Sequence, residues 1–160
     1  MTGLKYHTGK YELFDDRFVF TPPQIIDILA SIYGEGVVSL LVWLGKRAGR
    51  EMVQNWDTKL KPKTISDLTK QFLGTMSQLG WGNFKVKAIT EDQIVISHES
   101  NIALEMDNPQ KFMCYFIKGI LSGFGEYAMY QPNTRISVYE TQCVIDDQNA
   151  KNCEYRITRN

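Results

Sequence analysis

Three cysteines and one glutamate carry most of the chemistry this sequence can offer. Near the end of the chain, in the stretch SVYETQCVIDDQNAKNCEYRI (137–157), Cys143 and Cys153 flank a loop and Glu140 precedes Cys143 by three residues. Cys114 lies upstream in a segment with helical periodicity. Thiolates and carboxylates both ligate zinc, and a structural zinc closes a tetrahedron of four such groups. Cys114, Glu140, Cys143 and Cys153 make one such set. Residues three apart on a regular strand point to opposite faces, so Glu140 and Cys143 can share an ion only if the strand bends or ends near Gln142. Three thiolates and a carboxylate around a dication leave a net charge of about −2. Lys118, one helical turn past Cys114, and Lys151, close to Cys153, are placed to offset it. The competing reading is ordinary buried thiols, since free cysteine behaves as a small hydrophobe. With no C-x-x-C pair, spacing leaves both open.

The elements that must bring these residues together fit a small α+β chain. At 160 residues, with 43% hydrophobic and 12% aromatic content, there is enough for one core and too little for two, so 1–160 is expected to be a single domain. Eighteen basic residues balance eighteen acidic ones, which leaves no electrostatic footprint for nucleic acid. The longest apolar run, Val37–Leu44, is interrupted by Ser39 and falls far short of the roughly 20 residues a membrane span needs. Met1–Lys10 is polar and has no signal-peptide core, and three cysteines are too few for a disulfide framework. A cytoplasmic, reducing location is the expectation.

Residues Tyr11–Phe20 alternate weakly about Asp15–Asp16, as a short hairpin would. Thr21-Pro22-Pro23-Gln24 predicts a capped helix start, with the helix reaching about Tyr33. A second helix extends to about Trp56, with Leu41, Leu44, Ala48, Met52 and Trp56 on one face and Gly45 and Gly49 on the adjoining strip. Glycine costs about 1 kcal/mol against alanine in a helix, so a close helix neighbour is expected along that strip. A third helix follows the Thr64 cap, with Ile65, Leu68, Phe72, Met76 and Leu79 inward. Strands are predicted at 83–89 and 93–98, the second placing His98 on one side with Ile94 and Ile96. Residues 101–108 suit either a strand or a helical turn. A fourth helix over about Gln110–Met129 starts with Cys114 in its first turn and carries Gly119 and Gly123. A hairpin of 135–141 with 152–159 closes the chain. The fold class is helices packed on a small antiparallel sheet.

The stretches CYFIKGILSGFGEY and ISVYETQCVIDDQNAKNCEYRI, with GKRAGREM and LGWGNFKV upstream, resemble the vinyl-4-reductase domain family in order and spacing. That family combines a Cys-led helix rich in small residues, a strand ending E-x-x-C and a hairpin returning to C-x-[FY]. The resemblance implies a fold shared with transport-protein-particle subunits and, distantly, with haem nitric-oxide-binding domains. It also implies a homodimer and an interior that holds apolar small molecules or acyl chains. In aromatic-sensing transcription activators of this family, zinc is held at the positions matching Cys114, Glu140, Cys143 and Cys153, so the resemblance favours structural zinc. The Cys143–Cys153 loop is longer than the family pattern and lacks its Gly-Asp-Pro turn. That leaves Asp146 or Asp147 as substitutes for the fourth ligand.

Trp43, Phe72, Met76, Trp81, Phe84 and Phe116 are the side chains expected to line the pocket, with His98 as its polar contact. Each taken singly also suits plain core. No Walker loop, dinucleotide fingerprint, nucleophile elbow or H-E-x-x-H is present, and two isolated histidines give little for acid–base work. No enzymatic activity is expected, although the family name refers to vinyl reduction. Neither histidine stands in the setting of a haem ligand. Three functions remain: a zinc-braced sensing module for an apolar or aromatic small molecule, a scaffold or tethering subunit like those of the transport protein particle, and an accessory factor in tetrapyrrole metabolism. Without a visible output segment, each is expected to work through an unidentified protein partner. The homodimer is expected to form through the first two helices, with Gly45 and Gly49 permitting close approach.

Overall fold

A computed structural model describes residues 3–105, 111–147 and 149–160, so the predicted helix start at Gln110 lies outside the described residues. Strands β1 (Leu4–His7), β2 (Lys10–Leu13) and β3 (Asp16–Phe18) form an antiparallel meander. The expected hairpin is its second half, turning at Phe14 and Asp15 with φ of 52° and 68°, the twist a two-residue loop demands. Leu4 joins it opposite the buried Leu13.

Helices α1 (Ile25–Tyr33), α2 (Val37–Leu60) and α3 (Ile65–Gln78) follow, the first two separated by a 3-10 turn at Gly34–Gly36. Then come β4 (Asn83–Ile89), β5 (Gln93–Glu99), a 3-10 turn at Ile102–Glu105, α4 (Phe112–Ala128), β6 (Ile136–Gln142) and β7 (Cys153–Arg159). The second sheet is antiparallel with order β4-β5-β7-β6, so the last strand lies inside it. The α+β class and the helix-on-sheet arrangement are as expected. Thr64 caps α3 by accepting the Asp67 N–H at 3.1 Å. Thr21 does not cap α1, which starts at Ile25 without a side-chain cap. Pro22 is followed by proline and so is disfavoured in the helical region. The Pro22 and Pro23 carbonyls instead accept from Ile25 and Ile26 at 3.2 and 3.0 Å.

The buried stripe of α2 is Val37, Leu41, Gly45, Gly49, Val53 and Trp56, and the expected Leu44, Ala48 and Met52 lie half-buried beside it. Its partner is α4. A Cβ added at Gly45 would lie 2.2 Å from the Phe116 carbonyl oxygen, and one at Gly49 2.1 Å from that of Ile120. From the other helix, a Cβ at Gly119 would meet the Val42 oxygen at 2.4 Å and one at Gly123 the Lys46 oxygen at 2.0 Å. Backbone lies on backbone along the whole seam. The expectation that Gly45 and Gly49 serve a homodimer is therefore corrected, because α4 of the same chain occupies that strip.

Below this pair, Phe14, Trp56, Phe72 and Phe124 form an aromatic row with successive centroids 5.8, 5.4 and 4.6 Å apart. Burying each such ring contributes roughly 1.5–3 kcal/mol. Among the described residues one stretch, Ile25–Leu60, is long and apolar enough to cross a membrane by length and composition, with an 18-residue window of mean hydropathy 1.8, of which 22% is buried. The Val37–Leu44 run alone did not reveal it. Its outward side chains include Ile25, Ile28 and Ile32 on α1 and Leu40 and Trp43 on α2.

Candidate metal centre

Glu140 sits near the end of β6 and Cys153 opens β7, so register decides whether they meet. Glu140 pairs with Tyr155 while Gln142 pairs with Glu154, which leaves Thr141 as an extra residue. This bulge is the bend the spacing required, since it re-aims the strand end. Cys114 comes from the first turn of α4. The ligand atoms of Cys114, Glu140, Cys143 and Cys153 all lie within 4.8 Å of one another, and this group could hold a metal ion. Cys114 Sγ and Cys143 Sγ are 3.9 Å apart. Zinc–sulfur bonds of about 2.3 Å in a tetrahedron put sulfurs about 3.8 Å apart. All three thiols are buried and free.

The electrostatics describe a cluster of acceptors short of a cation. Glu140 Oε1 is buried without a hydrogen-bond partner. Burial, then the neighbouring Cys143, pushes its carboxyl up to about 7. Three thiols this close cannot ionise alike. Cys153, which accepts from Cys114 and Cys143, falls to about 3, while hydrogen bonding to Cys143 and Cys153 pushes Cys114 far up. The cation nearby is Lys111, one turn before Cys114, rather than Lys118 or Lys151. Its Nζ lies 3.5 Å from Glu140 and pairs closely with Asp146. Burial opposes its charge, but Asp146 and Glu140 outweigh this and raise its pKa. The substitute ligands are spent elsewhere: Asp146 on Lys111, and Asp147 on the Asn149 N–H at 2.9 Å.

Two neighbours of the cluster carried no role in the sequence reading. Asn101 Nδ2 lies 3.5 Å from Cys114 Sγ and 3.3 Å from Cys153 Sγ. Tyr155, fully buried, leaves its hydroxyl without a partner, and burial holds that phenol well above its ordinary pKa. Tyr155 was legible as the next inward residue after Cys153, by strand alternation. Asn101 had no such signal, because asparagine after a strand reads as a turn former.

The residues expected to line a pocket divide into three. Trp81, Phe84, His98 and Phe116 come together: the Trp81 and Phe116 rings are 5.7 Å apart, His98 Nε2 is 2.9 Å from the Trp81 carbonyl oxygen, and Phe84 stacks on His98 at 4.0 Å. Gly82, at φ 117°, allows this, since a Cβ there would lie 2.2 Å from His98 Nε2. Burial lowers the His98 pKa to about 4, so its imidazole is neutral. Phe72 belongs instead to the aromatic row, and Met76 is fully buried core. Trp43 is a correction: it is 60% exposed, in an outer cleft with Lys46, Arg47 and Arg50. An apolar groove of about 110 Å³ opens beside Trp81, lined also by Phe18, Phe20, Pro23, Leu79 and Ile102.

No family model and no curated protein sequence matches the chain. Solved structures do. The phenol-responsive sensory domain of the transcription activator PoxR, solved with phenol, matches with a TM-score of 0.76 at 13% identity, over 98% of this chain and 85% of that one. An H-NOX domain from Shewanella oneidensis in the Fe(II)CO state matches at 0.57 and 13% identity, over 90% and 80%. An H-NOX from Shewanella woodyi, also Fe(II)CO, matches at 0.51 and 17%, over 89% and 74%. The chain has the fold of these sensory and binding domains. The vinyl-4-reductase resemblance rests on its motifs alone. The two histidines differ in setting: His98 is buried, with Nε2 on the Trp81 carbonyl, its face on Phe84 and Nδ1 unpartnered, and the His7 side chain is 66% exposed beside Glu12.

Proposed function

We propose that this chain is a zinc-braced module that senses a small apolar or aromatic molecule without catalysis, in a reducing cytoplasmic setting, and acts through a partner. The observation that carries this reading is the cluster of Cys114, Glu140, Cys143 and Cys153 at the joint of α4 and the last hairpin, within a fold shared with a phenol-responsive domain. Zinc there would tie α4 to β6 and β7 and fix one wall of the interior. Four protein ligands close the tetrahedron, so its contribution is structural.

A buried orphan suggests the ligand class: His98 Nδ1 lacks a partner, whereas the Tyr155 hydroxyl borders Glu140 and the cysteines. A buried polar atom left unsatisfied costs about 1–3 kcal/mol. A hydroxylated aromatic lodged against Trp81, Phe84 and Phe116 would relieve that cost. The adjoining apolar groove is the entry, and Trp81 and Phe116, both half-buried, must yield to admit it from there. The outward apolar side chains of α1 favour the scaffold or tethering subunit as the second reading.

Native mass spectrometry and thermal shift separate them. The expected result is one zinc per chain, lost in Cys143→Ser and to a strong chelator with a sharp fall in stability. Phenols should raise the melting temperature in proportion to the logarithm of their concentration, and His98→Ala should weaken phenols more than plain hydrocarbons. Protein made with ample zinc yet free of metal sinks the brace. Bound zinc with no shift across a broad apolar panel rejects the sensor and leaves the scaffold.

A further inference from the structure

We infer that Asn101 is a working part of the metal centre, donating N–H hydrogen bonds to the sulfurs of Cys114 and Cys153 and so setting how tightly the centre holds its ion. This rests on the zinc reading above. Asn101 is 1% exposed, and its Nδ2 lies 3.5 Å from Cys114 Sγ and 3.3 Å from Cys153 Sγ. The direction of the carboxamide is fixed independently. Its Oδ1 accepts the Ala103 N–H at 3.0 Å, so the NH₂ group has to face the sulfurs. Flipped, the amide would aim oxygen at electron-rich thiolates and set NH₂ against an N–H.

The chain delivers this residue deliberately. β5 ends beside the start of β7, with His98 directly across from Cys153, and Ser100 then takes a φ of 48°, in the left-handed region. Asn101 therefore arrives over the cluster within two residues of the strand's last member, Glu99. Cys153 receives a further donor, the Val144 N–H at 3.5 Å. Lys111, by contrast, approaches the carboxylate side at Glu140.

The chemistry follows from charge. Three thiolates and a carboxylate overcompensate a dication, and N–H···S bonds draw density from sulfur, which stabilises the anion against protonation and lowers its nucleophilicity. A neutral amide does this without burying another charge. Polar groups that support ligands in this way typically govern metal affinity by about 10- to 100-fold.

The test uses cobalt(II) as a spectroscopic substitute for zinc on the full reduced chain, comparing wild type, Asn101→Ala and Asn101→Asp. Aspartate keeps the oxygen that takes the Ala103 N–H, and hence the loop anchor, while removing both N–H donors. Both variants should shift the thiolate-to-cobalt charge-transfer band to lower energy and retain metal about 10- to 100-fold less well against a chromophoric chelator. Should Asn101→Ala not fold, the aspartate variant decides alone. A wild-type band with unchanged or tighter retention in Asn101→Asp would mean that Asn101 only anchors the loop, and overturns the inference. A wild-type protein with no thiolate-to-metal band overturns the zinc reading itself, and the role of Asn101 with it.

Discussion

Adding one methyl group at Gly49 and the same group at Gly74 should change stability in opposite directions. Both glycines are helical, so each gains up to about 1 kcal/mol of helix propensity on substitution by alanine. At Gly74 of α3 the added Cβ meets nothing within 4 Å, and the gain should survive. At Gly49 it would stand 2.1 Å from the Ile120 carbonyl oxygen, whereas ordinary contact begins at 3.4 Å. The obstacle is backbone, so no rotamer change relieves it. The seam must open by roughly 1 Å, and overpacking of this kind costs about 1–3 kcal/mol before the lost contacts along the stripe are added. Net of propensity, Gly49→Ala should lose about 2 kcal/mol and the two variants should differ by about 3. In urea, with a slope of roughly 2 kcal/mol per molar, that separates their midpoints by about 1.5 M. A Gly49→Ala midpoint at or above wild type would show that α2 and α4 do not lie backbone on backbone.

The pH dependence of His98 should be visible too. Its pKa of about 4 lies below the ordinary 6.5, so the unfolded chain takes up a proton that the folded one refuses. Stability is then fully present above about 6.5 and falls by about 3 kcal/mol as pH drops toward 4. The slope difference between wild type and His98→Gln isolates it from Glu140, and an NMR titration of His98 near 6.5 would refute it. In the zinc-loaded protein, replacing Lys111 by Gln should cost under about 1 kcal/mol, because its partner Asp146 is more than half exposed and the metal would offset the charge of its buried partner Glu140. A loss above 2 kcal/mol by denaturation of the zinc-loaded protein would mean the lysine does more than pair. A homodimer, if it uses the outward face of α1, should weaken in Ile28→Glu and not in Lys63→Gln. Light scattering that finds a monomer at high concentration removes that expectation.

Much of the candidate centre was readable because its residues are rare and chemically distinct. Three cysteines and a carboxylate near a strand end constrain each other, and the required bend appeared as the Thr141 bulge. The contact face of α2 was shifted by one strip for a definable reason. Glycine scores as neither apolar nor inward, so periodicity favoured Leu44, Ala48 and Met52 over the adjacent Gly45 and Gly49. Trp43 failed for the opposite reason, since a large aromatic weighs as core although its helical position faces outward. Lys111 and Asn101 were invisible because their roles depend on where β6 and β7 place the sulfurs, which no local pattern encodes.

The sheet order β4-β5-β7-β6 bears on synthesis. β7 leaves the ribosome after every other described element, yet it is the strand between β5 and β6. Until it emerges, β5 has one open edge, and the nascent chain holds Ile94 and Ile96 beside a vacant place in its core. Cys153 arrives with that strand, so two cysteines and Glu140 wait for the fourth member of the cluster. The arrival of β7 would complete the hydrogen-bonded sheet and the four-residue cluster in one event, which leaves a nascent chain halted before Cys153 exposed to aggregation and to proteases.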